Sequence, residues 1–387
     1  MKPFTGVDFM DLDALLTEGE IQVRQKTREF VDAHVMPIIA ECFDKAEFPI
    51  QLVGKMAQAG FLGAGLEGYG CTGMGSTAYG LMMQELERGD SAIRTFASVQ
   101  NALVMYPIFT FGSEEQKERW LPGMAQGEAI GCFGLTEPEH GSNPGGMTTR
   151  ARREGDSFVL NGSKKWIGNT IIANVCLIWA KNDEGIVQGF LVEKGTPGLE
   201  TSLIEQKFSL RAAVTGAIAL KDCSIPAENR LPGAEGLKSA FMCLNKARYG
   251  IAWGVIGAAM ACYHEAVEYA KERIQFGRPI ASFQLIQEKL ADMLTEITKM
   301  QFMTLQVARL MEKGRGEHAH ISMVKRNNVA HALEIARAAR DILGAAGIVV
   351  SNQSGRHMCN LESVKTYEGT HNIHSLILGK HITGIKA

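Results

Sequence analysis

Ile286, Leu290, Met293, Ile297, Met300, Thr304, Val307 and Met311 step along the chain by fours and threes. No other feature constrains the fold as much. A period close to 3.5 puts one apolar face along the length of a helix, and a helix that long needs neighbours to cover it. The spacing predicts a single helix over 282–313, packed in a bundle with its methionines in the core.

Helical spacing also dominates the first third of the chain. Ile21, Thr27, Phe30, Val31, His34 and Ile38 share a face, and further helices are expected over 48–60, 76–88, 91–105 and 114–121. Near Cys132 the pattern changes. Short apolar runs at 130–135, 158–160, 175–180, 189–192 and 217–220 alternate with Asn161-Gly162, Asn182-Asp-Glu-Gly185 and Thr196-Pro-Gly198. Apolar runs punctuated by turn residues read as a compact β unit, bounded by Pro232-Gly233. After residue 237 the helical pattern returns and persists. Gly250, Gly254 and Gly257 lie along it, spaced to let another helix approach closely in a soluble bundle. The expected organisation is an N-terminal helical domain over 1–130, a middle β domain over 131–236 and a C-terminal helical bundle over 237–387. The fold class is thus mainly α with a central β domain.

Composition excludes several classes of partner. With 40 basic and 42 acidic residues the net charge is -2, which offers no footprint for nucleic acid or a membrane surface. The uncharged run Tyr249–Tyr263 is too short to span a bilayer. The 8 cysteines are scattered without a C-x-x-C pair, so buried free thiols in a reducing compartment are expected. Neither Met1–Met10 nor Ile385-Lys-Ala387 has the form of a targeting signal. The cytoplasm is the expected location, or the mitochondrial matrix for a processed chain.

Two motifs mislead. Gly63-Ala-Gly-Leu-Glu-Gly68 has the dinucleotide spacing, but a helix precedes it and another turn follows, so a helix–helix connection is expected. His318-Ala-His320 lacks further ligands and is placed in a polar loop spanning 314–320; no metal site is expected.

Other stretches carry chemistry. Tyr367-Glu-Gly-Thr-His-Asn-Ile-His374 sets the lone carboxylate of Glu368 beside an aromatic ring and a glycine, inside a helical stretch. Such a carboxylate is either a helix-start charge near the positive end of the dipole or a desolvated general base. Cys132–Pro138 followed by Gly141-Ser-Asn143 ends a strand in hydroxyls and free amides, suited to a polar ring or a phosphate. Lys164-Lys-Trp-Ile-Gly-Asn169 puts Trp166 on a β edge, where it could stack on such a ring. Arg273, after a helix end, could reach a diphosphate, and Asp341–Gly347 forms a glycine-rich turn open to close approach.

In their order along the chain these stretches resemble the acyl-CoA dehydrogenase family of flavoproteins. So do Glu85-Leu-Glu-Arg88, Ser98-Val-Gln100, Phe111–Gln116 and Cys243–Gly254. Within the family the likeness is closest to the glutaryl-CoA dehydrogenases. The resemblance implies that family's fold, a helical bundle, a β-barrel-like domain and a four-helix bundle, assembled as a homotetramer. It implies FAD as cofactor, an acyl-CoA substrate and an electron-transferring flavoprotein as acceptor. By the same resemblance Glu368 is the catalytic base. Phe133, Leu135, Thr136, Gly141, Ser142, Trp166 and Gly168 correspond to flavin-lining positions, and Thr370 and Asn372 to further cofactor contacts. Arg273, Phe276, Gln284 and Gly344 correspond to positions reaching the FAD of a neighbouring subunit. Asn245, Arg248 and Ser142 correspond to the CoA side, and Arg94, Glu87, Ser98 and Tyr367 to the acyl side. Arg94 would receive the distal carboxylate of glutaryl-CoA. Glu87, seven residues earlier, would orient it from the same helical face.

The chain also departs from the family's pattern. Gly168 replaces a threonine whose hydroxyl bonds the flavin, a form shared with some related oxidases. Ile93, Thr95, Asn143, Ala345-Ala346 and Asn372 replace other usual residues. A short-chain acyl-CoA oxidase, another short-chain acyl-CoA dehydrogenase and a non-catalytic flavin or acyl-CoA binding protein are the alternative readings.

Overall fold

The structure, a computed structural model, describes residues 3–385; Lys386 and Ala387 of the C-terminal tripeptide lie outside the described residues. Helices α1 (Glu18–Phe30), α2 (Ile39–Lys45), α3 (Leu52–Gln58), α4 (Ser76–Gly89), α5 (Ser91–Ser98), α6 (Tyr106–Phe111) and α7 (Glu114–Ala125) come first. Capping boxes at Thr17 and Ser113 start α1 and α7, where a hydroxyl and a following Glu or Gln satisfy the open amides reciprocally. The helix expected over 91–105 is not uniform: after Ser98 the backbone widens into a π-helical stretch over Val99–Met105. Such stretches concentrate at functional sites.

The β unit comprises β1 (Gly131–Gly134), β2 (Arg150–Glu154), β3 (Ser157–Gly168), β4 (Val175–Lys181), β5 (Val187–Glu193), β6 (Leu199–Leu203), β7 (Thr215–Pro226) and β8 (Arg230–Glu235). Their order is β6-β7-β3-β2-β4-β5-β8, with β1 parallel to β4. Strands β2, β6 and β8 escape the sequence reading because they are short and largely polar, while the apolar runs mark the buried strands. Pro232-Gly233 does not bound the unit. It lies inside β8, and the chain turns into the next helix only after Glu235.

The C-terminal part comprises α8 (Leu237–Glu272), a hairpin of β9 (Ile274–Gln275) and β10 (Arg278–Pro279), α9 (Gln284–Glu312), α10 (His318–Ile342), α11 (Gln353–Thr366) and α12 (His371–Thr383). Met293, Ile297, Met300, Thr304 and Val307 of the α9 stripe are buried as expected. The α8 glycines do what their spacing implies: a Cβ at Gly257 would run into the Gln84 carbonyl, and one at Gly250 would stand 3.0 Å from the Met83 side chain. Helix α8 therefore packs backbone-close on α4 and carries the core between the two helical parts. Residues 63–68 form the expected connection between helices, running from α3 to α4. His318 and His320 are not in a loop but in the first turn of α10, where His320 Nδ1 accepts from the Glu317 amide at 3.1 Å. Cys42, Cys71 and Cys359 are only half-buried, while the other cysteines are buried. No described helix is long and apolar enough to cross a membrane.

Candidate functional site

Residues 367–370 are not helical. They form the break between α11 and α12, with Glu368 at φ 52° and Gly369 at φ 91°. Thr370 caps α12, its hydroxyl accepting from the Ile373 amide at 3.2 Å. A glutamate in the left-handed region carries roughly 1–3 kcal/mol of backbone strain, which persists only where the surroundings enforce it. That strain puts the carboxylate in the interior, where Glu368 Oε2 is buried and has no hydrogen-bond partner. Burial raises the pKa of Glu368 above its ordinary range, opposed by the charges of Arg94, Arg248 and Lys325. The carboxylate is therefore buried and desolvated in the break between two helices, not a solvated charge at a helix start.

Arg94 reaches the same place from α5. Its side chain is 0% exposed, and its Nε lies 2.6 Å from Glu87 Oε2, with Nη2 3.2 Å from Oε1. Nη2 also donates to the Tyr367 hydroxyl, and Thr95 Oγ1 lies 3.3 Å from that hydroxyl. Burial works against the guanidinium charge, but Glu87 and Tyr367 outweigh it and hold Arg94 protonated. Burial likewise pushes the Tyr367 phenol up to about 12. Glu87 and Arg94 do not share a helical face. Glu87 is on α4 and Arg94 on α5, and they meet across the corner at Asp90. Gly254 of α8 makes room for the pair: a Cβ there would collide with Glu87 Oε2 and stand 3.1 Å from Arg94 Nε. Arg94 therefore already has a carboxylate partner inside the protein. What it lacks is an acceptor for Nη1, which is buried and unpartnered.

One helical turn past Arg94, Ser98 Oγ is also buried without a partner. Val99 follows, its Cγ2 3.2 Å from where a Cβ on Gly168 would sit. Gly168 ends β3, and Trp166 occupies the irregular step of that strand at φ 64° with 58% of its surface exposed. Trp166 is thus at a bulge rather than on a free edge, because β7 pairs with β3 on both sides of it. Beside it, the Lys165 amide donates to the Thr136 carbonyl at 2.9 Å, bringing the end of β1 alongside. Phe133 and Leu135 are buried there and Thr136 is half-buried. A continuous line of residues therefore runs from Glu368 through Tyr367, Arg94, Ser98, Val99 and Gly168 to Trp166 and Thr136. An uncovered indole on a strained bulge beside open glycine backbone suits a planar ring.

Gly141 and Ser142 are exposed on the loop after β1. Glu137 ties that loop down, accepting from Thr148 N at 2.7 Å, Thr149 Oγ1 at 2.6 Å and Lys164 Nζ at 2.9 Å. Arg248, on α8, donates from Nε to the Glu368 carbonyl at 2.8 Å and from Nη1 to Asn245 Oδ1 at 3.3 Å. Asn372 is exposed on the first turn of α12. Arg273, Phe276, Gln284 and Gly344 are not part of this group. They are exposed at the β9–β10 hairpin, the start of α9 and the turn after α10, with Phe276 92% exposed.

The sequence reading missed Tyr79 and Lys325. The Tyr79 hydroxyl is buried and unpartnered, and the charges of Arg94 and Glu368 act on it. Lys325 is 1% exposed on α10. Its signal was available: a lysine among Ile321, Val324, Val329 and Ala332, on the apolar side of that helix, has no solvent-facing place. Among the described residues no cluster could hold a metal ion.

Family models for the N-terminal, middle and C-terminal domains of acyl-CoA dehydrogenases match residues 17–128, 132–223 and 234–383. A glutaryl-CoA dehydrogenase from Mycobacterium smegmatis superimposes with a TM-score of 0.97 at 48% identity, over 98% of this chain and 98% of that one. A glutaryl-CoA dehydrogenase from the same organism in complex with FADH2 matches at 45% identity, with the same TM-score of 0.97 and 98% coverage of both chains. The mitochondrial short-chain specific acyl-CoA dehydrogenase of Rattus norvegicus is 36% identical, over 95% of this chain and 90% of its own length.

Proposed function

This chain belongs to the acyl-CoA dehydrogenase family, and on that premise we propose that it oxidises glutaryl-CoA and decarboxylates it to crotonyl-CoA and CO2. The family is FAD-dependent. Phe133, Leu135, Thr136, Gly141, Ser142, Trp166, Gly168, Thr370 and Asn372 are the residues proposed to hold the flavin. FAD supplies the acceptor for the hydride that leaves the β-carbon.

Glu368 accepts the α-proton. Its desolvated carboxylate, with Oε2 unpartnered, makes it a stronger base once ionised than an exposed glutamate. Arg94 receives the distal carboxylate, and Glu87 and Tyr367 fix the guanidinium so that Nη1 points free. The observation that carries this substrate assignment is that Nη1: a fully buried charged donor left without an acceptor is costly, and a substrate carboxylate would satisfy it. Asn245, Arg248 and Ser142 are proposed on the CoA side and Ser98 beside the acyl chain. Arg273, Phe276, Gln284 and Gly344 are proposed to reach a neighbouring subunit's FAD in a homotetramer. An electron-transferring flavoprotein is the proposed acceptor and the cytoplasm the proposed compartment.

A second reading rests on Glu87. Because it already neutralises Arg94, the pocket can also take an uncharged short chain such as butyryl-CoA. Titrating the purified flavoprotein with glutaryl-, butyryl- and longer acyl-CoAs while following flavin colour and CO2 separates the readings. Bleaching by glutaryl-CoA with CO2 release supports the proposal, and bleaching by butyryl-CoA alone selects the second reading. No bleaching with any thioester would leave a binding protein. Rapid reoxidation of the bleached flavin in air would make it an oxidase.

A further inference from the structure

Every main-chain carbonyl from Tyr367 to Gly369 accepts a hydrogen bond from a buried cation. Lys325 Nζ donates to Tyr367 O at 2.9 Å, Gly369 O at 2.7 Å and Val364 O at 3.1 Å. Arg248 Nε, approaching from α8, takes the Glu368 carbonyl between them. An ammonium has three N–H donors and no acceptor, so these three carbonyls saturate it. Two of them, Val364 and Tyr367, lie at the end of α11, where helical carbonyls have no partner within the helix. A lysine with 1% exposure and a full set of backbone partners is built into the turn.

We propose that Lys325 is the positioning residue for the base: by gathering the carbonyls of Val364, Tyr367 and Gly369 it locks the turn in the left-handed conformation that aims the Glu368 carboxylate into the pocket. This rests on the dehydrogenase reading of Glu368. The strain at φ 52° would otherwise relax, since nothing bonds the buried Oε2 of the carboxylate in place. The cation also acts through space. Facing Glu368 are Arg94 from α5, Arg248 from α8, Lys325 from α10 and His374 from α12, with Tyr79 on α4. Burial holds His374 well down, at about 3, so its ring is neutral, and Tyr79 keeps its proton. The charges that favour the ionised carboxylate are therefore Arg94, Arg248 and Lys325, the last on the acid side only, because burial lowers the lysine to about 7.

The test uses the full-length, FAD-loaded protein with Lys325→Met and Lys325→Gln. In Lys325→Met, amide exchange over 364–371 should accelerate while α8 and α9 stay protected. Flavin reduction should slow by about 10–100-fold, the scale of a misplaced reacting group, with KM changing less. Loss of the positive charge should also move the acid limb of the pH–rate profile to higher pH. Lys325→Gln keeps a donor but not the charge, so it should recover much of the rate yet show the same shift of the acid limb. Unchanged exchange over 364–371, or an unshifted acid limb in Lys325→Gln, would overturn the proposal. If Lys325→Met does not accumulate folded, the Gln variant alone decides by the same criterion. A wild type that no acyl-CoA bleaches would sink the dehydrogenase reading instead, and the exchange measurement would still decide whether Lys325 holds the turn.

Discussion

Replacing Arg94 by Met tests the substrate assignment, but the structure shows that the single substitution is a poor instrument. Glu87 would be left with 0% exposure and no counter-charge, and breaking one side of a buried pair costs about 3–5 kcal/mol of stability. The informative comparison is Arg94→Met combined with Glu87→Gln, against Glu87→Gln alone. In that background the charge removed at position 94 strands no carboxylate. A substrate carboxylate on Nη1 would make a charge-assisted hydrogen bond worth about 1.5–3 kcal/mol, or about 10–150-fold in rate. The kcat/KM ratio of glutaryl-CoA to butyryl-CoA should fall by that factor, because butyryl-CoA ends in a methyl group that never used the guanidinium. Thermal melting of both variants checks that the fold is intact. Equal losses for the two thioesters would place Arg94 in a purely structural role with Glu87 and Tyr367, and would remove the main support for the dicarboxylic substrate.

Three further outcomes can be measured. Glu368→Gln keeps the shape of the turn but cannot take a proton, so flavin reduction should fall by about 10²–10⁴ with FAD still bound; in the wild type the rate should climb as pH rises through a value above the ordinary glutamate range, because burial raises the group and only its ionised form works. Gly168→Thr places a Cβ 3.2 Å from Val99 Cγ2, which must yield by a few tenths of an ångström; the expected result is slower reoxidation of reduced flavin by O2, and equal rates in stopped flow would take Gly168 out of the choice between acceptors. Gly254→Ala drives a methyl group into Glu87 Oε2 where α8 crosses α4; overpacking of this kind costs about 1–3 kcal/mol, and the melting temperature should drop together with any preference for glutaryl-CoA, whereas Gly19→Ala, in helix α1 with open space around it, should raise the melting temperature slightly and leave the preference unchanged.

The order of the chain settled a good deal by itself. Periodicity placed α9, because a stripe from Ile286 to Met311 has only one way to be buried. Local apolar runs placed β4 and β5, which are buried along nearly their whole length. The motif around Glu368 and the arginine at position 94 pointed to the site because unusual residue types stood in recognisable company. Strands β2, β6 and β8 were invisible, since a polar strand on a sheet surface has no pattern until its neighbours supply one. The sequence also put Glu87 and Arg94 on one helical face, whereas Asp90 breaks the helix and the pair forms across the corner, in space that Gly254 leaves open. Whether a carboxylate is solvated at a helix start or buried away from water depends on what surrounds it, and no local pattern records that. For Glu368 the answer came from α5, α8 and α10, whose Arg94, Arg248 and Lys325 converge on one strained turn from positions far apart in the chain.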